Sequence, residues 1–137
     1  MISAGIMHSV FRRLEDDGEG NGMGKLTTHV LDTASGRPAA GMRITLTALD
    51  GGVLLGTFET NADGRLDAPA LDGARFRAGR YELLFSVGAY YRAQGIGGPE
   101  PAFLDEVPIR FGVADPDTHY HVPLLVTPWS YSTYRGS

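Results

Sequence analysis

An all-β fold, a two-sheet antiparallel sandwich with one short helix, is what the sequence predicts. Three observations predict it. Apolar residues recur with period two in run after run, turn-forming residues separate those runs at short intervals, and a single segment breaks the alternation. The chain has 137 residues, of which 42% are hydrophobic and 20% charged, so it is one domain with enough apolar surface for a buried core.

The elements follow in chain order. Residues 1–24 end in Glu-Asp-Asp-Gly-Glu-Gly-Asn-Gly-Met-Gly and are expected to form a flexible leader, with at most a short helical turn over Ile6–Leu14. The folded domain is expected over residues 25–137. It opens with Leu26, Thr28 and Val30 on one face of a strand and Lys25, Thr27 and His29 on the other. Ile44, Leu46 and Ala48 alternate with Arg43, Thr45 and Thr47. Leu54–Thr60 is a weaker strand. Tyr81, Leu83, Phe85 and Val87 form the next inward set, and Ala89–Gln94 is the one helical interruption. Val107, Ile109, Phe111 and Val113 point inward, as do Tyr120, Val122, Leu124 and Val126, which leaves His119, His121 and Pro123 opposite. Ser130–Arg135 is a second weak strand. The connecting stretches Asp-Thr-Ala-Ser-Gly-Arg-Pro, Asp-Gly-Gly, Asn-Ala-Asp-Gly and Ala-Asp-Pro-Asp carry residues that favour turns or tolerate positive φ.

Composition excludes several functions. A net charge of −4 and the absence of any basic run argue against nucleic-acid binding. With no cysteine there is no disulfide scaffold, no thiolate metal site and no cysteine nucleophile. No stretch reaches the length of a membrane span and the N-terminus lacks the pattern of a secretory signal, so a cytoplasmic protein is expected. Gly95–Pro99 is glycine-rich but lacks the strand and helix of a dinucleotide-binding turn, and no Gly-x-Ser-x-Gly elbow is present. Hydrolysis in this chain requires direct activation of water.

The alternation makes a specific statement about the histidines. His29, His119 and His121 all project from the non-core faces of their strands, and they meet if those strands are neighbours. Imidazole titrates near neutral pH, which suits it to general acid–base work. The same spacing also fits a three-histidine zinc set, although no carboxylate is recognisable behind it, and no metal is assigned. Arg65 directly follows the Asn-Ala-Asp-Gly turn, where its fork is either a solvated turn residue or an anion-orienting group.

Three stretches, Lys25–Gly41 with its Leu-Thr-Thr-His-Val-Leu-Asp-Thr core, Asn61–Arg65, and His119–Ser137 ending in Tyr-Arg-Gly-Ser, resemble the transthyretin-related 5-hydroxyisourate hydrolases. The resemblance covers Lys25–Ser137 and implies a transthyretin-like sandwich. It puts His29, Arg65 and His121 at the family's catalytic positions and Tyr134, Arg135, Gly136 and Ser137 at its substrate-lining terminal tetrapeptide. His119 takes a supporting, substrate-binding position. The activity implied is water-driven opening of 5-hydroxyisourate at its lactam carbonyl, giving 2-oxo-4-hydroxy-4-carboxy-5-ureidoimidazoline, with no cofactor. Arg65 and Arg135 are expected to orient the substrate, and Tyr134 to wall it. A homotetramer with sites between subunits is implied as well. The competing readings are a non-enzymatic carrier of small aromatic ligands like transthyretin, a zinc-dependent hydrolase, and a purely structural module.

Overall fold

Strict alternation of apolar and polar residues forces a strand to present one face to a core, and Lys25–Asp32 (β1) does so with Leu26, Thr28, Val30 and Asp32 buried. The computed structural model describes residues 24–96 and 98–136. The expected helical turn over Ile6–Leu14 lies outside the described residues, and of the expected leader only Gly24 is described, where it is buried.

After β1 come Arg37–Pro38 (β2), Arg43–Ala48 (β3), Val53–Glu59 (β4), Leu71–Asp72 (β5), Gly79–Phe85 (β6), the helix Val87–Ala93 (α1), Val107–Val113 (β7), His119–Val126 (β8) and Tyr131–Thr133 (β9). One sheet runs β2-β1-β8-β9, with β5 also pairing to β1; the other runs β4-β3-β6-β7. Between them lie Leu26, Val30, Ile44, Leu46, Leu83, Phe85, Leu124 and Val126, all with no exposed surface. Each such side chain contributes about 1.5–3 kcal/mol by leaving water.

The two-sheet sandwich and, among the described residues, its one short α-helix match the expectation from sequence, with one correction to the pairing. Every pair is antiparallel except β1 with β8, which run parallel. The reason is topological: the chain leaves β1, builds the whole second sheet, and returns to β8, so no hairpin dictates their relative direction. Three smaller differences follow from packing. Val87 opens α1 instead of closing the preceding strand, yet remains fully buried. Pro123 is buried although it lies on the histidine side of β8, because β1 and β9 flank that strand. The two-residue strands β2 and β5 are too short for periodicity to reveal.

Helix α1 is fastened to the end of β1 through a buried carboxylate. Asp32, 2% exposed, accepts hydrogen bonds from Tyr90 Oη at 2.9 Å and Tyr91 Oη at 2.8 Å. It also accepts from the backbone N–H groups of Ala34 and Ser35. Burial by itself raises the Asp32 pKa, but the hydrogen bonds from Tyr91, Tyr90 and Ser35 outweigh it and hold the group below 3.8. Burial and the same carboxylate push the Tyr90 phenol up to about 12.

Replacing Asp32 by Asn swaps an acceptor oxygen for a donor in a fully used site and is expected to cost about 1–3 kcal/mol at pH 7. Because the folded-state pKa is depressed, Asp32 stabilises the fold above the unfolded value of 3.8, and this contribution is lost as pH falls through the folded value. Urea denaturation of both proteins at pH 7 and pH 3 checks this: the gap between them is narrower at the lower pH.

Candidate active site

The parallel register of β1 with β8 pairs Lys25 with His119, Thr27 with His121 and His29 with Pro123. Residues directly opposite in a ladder share a face. One surface therefore collects Lys25, Thr27 and His29 from β1 with His119 and His121 from β8. The imidazole centroids of His119 and His121 are 6.2 Å apart, and those of His29 and His121 are 6.5 Å apart. Beside them is a pocket of about 460 Å³ whose walls include Lys25, Thr27, Arg65, Asp67, His119 and His121. His29 is outside that lining and joins the cluster through His121.

Arg65 arrives by a turn that the sequence builds closely. Asn61 Oδ1 accepts the backbone N–H groups of Asp63 and Arg65, which curls Asn61–Gly64 over itself. Gly64 has φ +75°, and a Cβ there would lie 2.5 Å from the Val30 carbonyl oxygen. That approach lets Val30 N–H donate to Gly64 C=O at 2.8 Å and brings Arg65 opposite His29 in an isolated bridge. The guanidinium is exposed and, among the described residues, has no ion-pair partner.

All three imidazoles titrate below 6.5. Burial is the main cause at each. Arg65 adds to it at His29; Lys25 and Arg135 add to it at His119; Arg65 and the other two histidines add to it at His121. At His29 the Asp63 carbonyl and carboxylate pull weakly the other way. The effect is a surface of neutral imidazoles beside a permanent cation, a combination that accepts protons and stabilises a developing anion. Among the described residues, no group of three or more His, Cys, Asp or Glu side chains is placed to hold a metal ion.

The tail folds back along β8. Gly136 N–H donates to the His121 carbonyl at 2.7 Å, and His121 N–H donates to the Gly136 carbonyl at 3.3 Å. A Cβ on Gly136 would lie 3.1 Å from His121 Cδ2, so the glycine lets the backbone press against the imidazole. The guanidinium of Arg135 goes elsewhere: it stacks 4.0 Å over the ring of Tyr120, a core-side residue, and its Nη2 donates to the Thr118 hydroxyl and the His119 carbonyl at 3.4 Å. Tyr134 is 59% exposed and, with Arg135, borders a separate groove against Phe111. Ser137 lies outside the described residues.

A sequence profile described as the HIUase/Transthyretin family matches residues 26–136. The chain belongs to that family. A 5-hydroxyisourate hydrolase of Mesorhizobium japonicum is 65% identical over 116 residues, which cover 83% of this chain and 93% of the relative. The solved 5-hydroxyisourate hydrolase of Klebsiella pneumoniae is 35% identical with a TM-score of 0.71, covering 84% of this chain and all of that one. A solved (S)-allantoin synthase is 50% identical with a TM-score of 0.83 over 90% of this chain. The chain spans 47% of the length of that synthase. Within this HIUase/Transthyretin domain, sequence reasoning passed over Thr27, whose hydroxyl lies between two imidazoles. The signal was present, since the alternation already put Thr27 on the face of His29.

Replacing Gly64 by Ala combines an unfavourable positive φ with a clash against the Val30 carbonyl, and is expected to cost about 1–3 kcal/mol. A thermal melt measures the loss. An unchanged melting temperature contradicts the close approach.

Proposed function

We propose that this chain hydrolyses 5-hydroxyisourate, opening its six-membered ring at the lactam carbonyl to give 2-oxo-4-hydroxy-4-carboxy-5-ureidoimidazoline. The observation that carries the reading is the meeting of His121 and Arg65 at one pocket, with His29 beside both of them. The relatives named as hydrolases of this compound, matched along nearly their whole length, supply the substrate.

The chemistry follows from the groups present. Water is a weak nucleophile and needs a base as it attacks. His121 and His29, kept neutral by burial and by Arg65, hold and deprotonate it. Negative charge then develops on the attacked carbonyl oxygen, and the Arg65 guanidinium, without an ion-pair partner among the described residues, stabilises it. The same imidazole returns the proton to the leaving nitrogen as the carbon–nitrogen bond breaks. His119 supports His121. Gly136 fixes the ring of His121 by contact, Arg135 clamps the tail through Tyr120, and Tyr134 and Ser137 complete the substrate-lining tetrapeptide. No cofactor enters this reading.

The homotetramer, with sites completed between subunits, belongs to the same proposal. Two features support association: β7 and β9 are edge strands of their sheets, and Trp129, Tyr131 and Tyr134 are exposed. A cytoplasmic setting and a domain boundary at residue 25 also go with it. No helix among the described residues is long and apolar enough to cross a membrane. The carrier reading is not favoured, because the relatives matched along nearly their whole length are named as hydrolases.

Three outcomes test this. 5-Hydroxyisourate generated in situ from urate loses its ultraviolet absorbance faster with the protein than without it, and an unaccelerated decay contradicts the function. Replacing His29 or His121 by Ala lowers kcat by about 10²–10⁴ while the melting temperature holds. Because burial and then Arg65 depress the base, the acid limb of kcat/KM lies below 6.5, and Arg65→Gln moves it upward. A pH–rate series on the two proteins reads the shift, and a downward move contradicts the arrangement.

A further inference from the structure

Thr27 Oγ1 lies 2.7 Å from His119 Nε2 and 2.8 Å from His121 Nδ1. A hydroxyl has one proton to donate, so it gives that proton to one imidazole nitrogen and accepts an N–H from the other. When both rings are neutral, two arrangements satisfy it. In the first, Thr27 donates to His119 Nε2 and accepts from His121 Nδ1–H, leaving His121 Nε2 without a proton. In the second the roles reverse, and a neutral His121 carries its proton on Nε2. Among the described residues no hydrogen bond is made by His121 Nε2, while Gly136 presses on the Cβ–Cδ2 side of the ring. Only the first arrangement leaves His121 Nε2 able to accept a proton.

We propose that Thr27 is a positioning residue that holds His121 as the Nδ1–H tautomer, with Nε2 free toward the pocket, and joins His121 and His119 into a unit that shares one proton. This rests on the reading of His121 as the base that takes the proton of water. When Nε2 of His121 accepts that proton, its Nδ1 proton passes to Thr27 Oγ1 and the hydroxyl proton passes to His119 Nε2. Thr27 is again a neutral hydroxyl, now donating to His121 Nδ1 and accepting from His119 Nε2–H; His121 is neutral, and His119 carries the charge. The reverse transfer returns the proton for the leaving nitrogen. Taking a second proton places two cations within the same cluster, next to Lys25 and His29 on β1, Arg65 and Asp67 beside the pocket, and Arg135 on the tail. Three of those neighbours are permanently or usually cationic, so the two rings titrate in widely separated steps.

The test is nitrogen-15 NMR of histidine-labelled, full-length protein, alongside kcat and KM, for the wild type, Thr27→Ser and Thr27→Val. The wild type is expected to show His121 as the Nδ1–H tautomer and two separated titration steps for His119 and His121. In Thr27→Val, His121 shifts toward Nε2–H, the two rings titrate more nearly independently, and kcat falls about 10–100-fold with KM within about twofold. Thr27→Ser, which keeps the hydroxyl, restores tautomer and rate. A wild-type His121 protonated on Nε2 overturns the proposal, and so does a Thr27→Val kcat within twofold of wild type. The NMR arm decides the tautomer claim even where wild-type protein leaves 5-hydroxyisourate decay unchanged, an outcome that strikes the functional reading alone.

Discussion

The parallel, in-register pairing of β1 with β8 is the constraint on which the rest of the site depends. It sets Thr27 directly across from His121 and leaves His29 one step along the same face. A slip of one residue would turn the imidazoles into the sandwich and expose Leu26 and Val30. The fold resists that slip strongly, since both side chains, with Leu124 and Val126 from β8, are fully buried. Hydrophobic burial thus positions the histidine surface on the opposite face of the same strands.

Two connections bring further groups to that surface. The Asn61–Gly64 turn is drawn onto β1 by the Val30-to-Gly64 hydrogen bond, which fixes where Arg65 emerges. The tail is drawn onto β8 by the paired hydrogen bonds between His121 and Gly136. In both cases a glycine occupies the point of closest approach, because a Cβ would meet backbone or ring atoms. Partial burial, and after it the cations that gather there, hold the imidazoles below 6.5. One arrangement of charge therefore both favours unprotonated imidazoles and suits the surface to an anion.

Much of this was legible in the sequence because period-two alternation states which face a residue occupies. It placed His29, His119 and His121 off the core side, and it placed Thr27 with them. It did not state strand direction. The parallel partnership of β1 with β8 depends on how the chain returns after building the other sheet, and no local residue records that. Short strands such as Leu71–Asp72 carry too few residues to show a period. Arg135 illustrates the limit of motif reading: its place in the terminal tetrapeptide does not state that its guanidinium stacks on the ring of Tyr120 and donates to the Thr118 hydroxyl and the His119 carbonyl. Local spacing carries no information about which side of a strand a returning tail will cross.

The most direct measurement is a crystal structure with a stable ring analogue of the substrate. The account predicts the ring in the pocket bordered by Thr27, Arg65 and His121, with a carbonyl oxygen toward the Arg65 guanidinium and one face toward His121 Nε2. An analogue seated instead in the groove between Phe111, Tyr134 and Arg135, with the histidine surface empty, would contradict it.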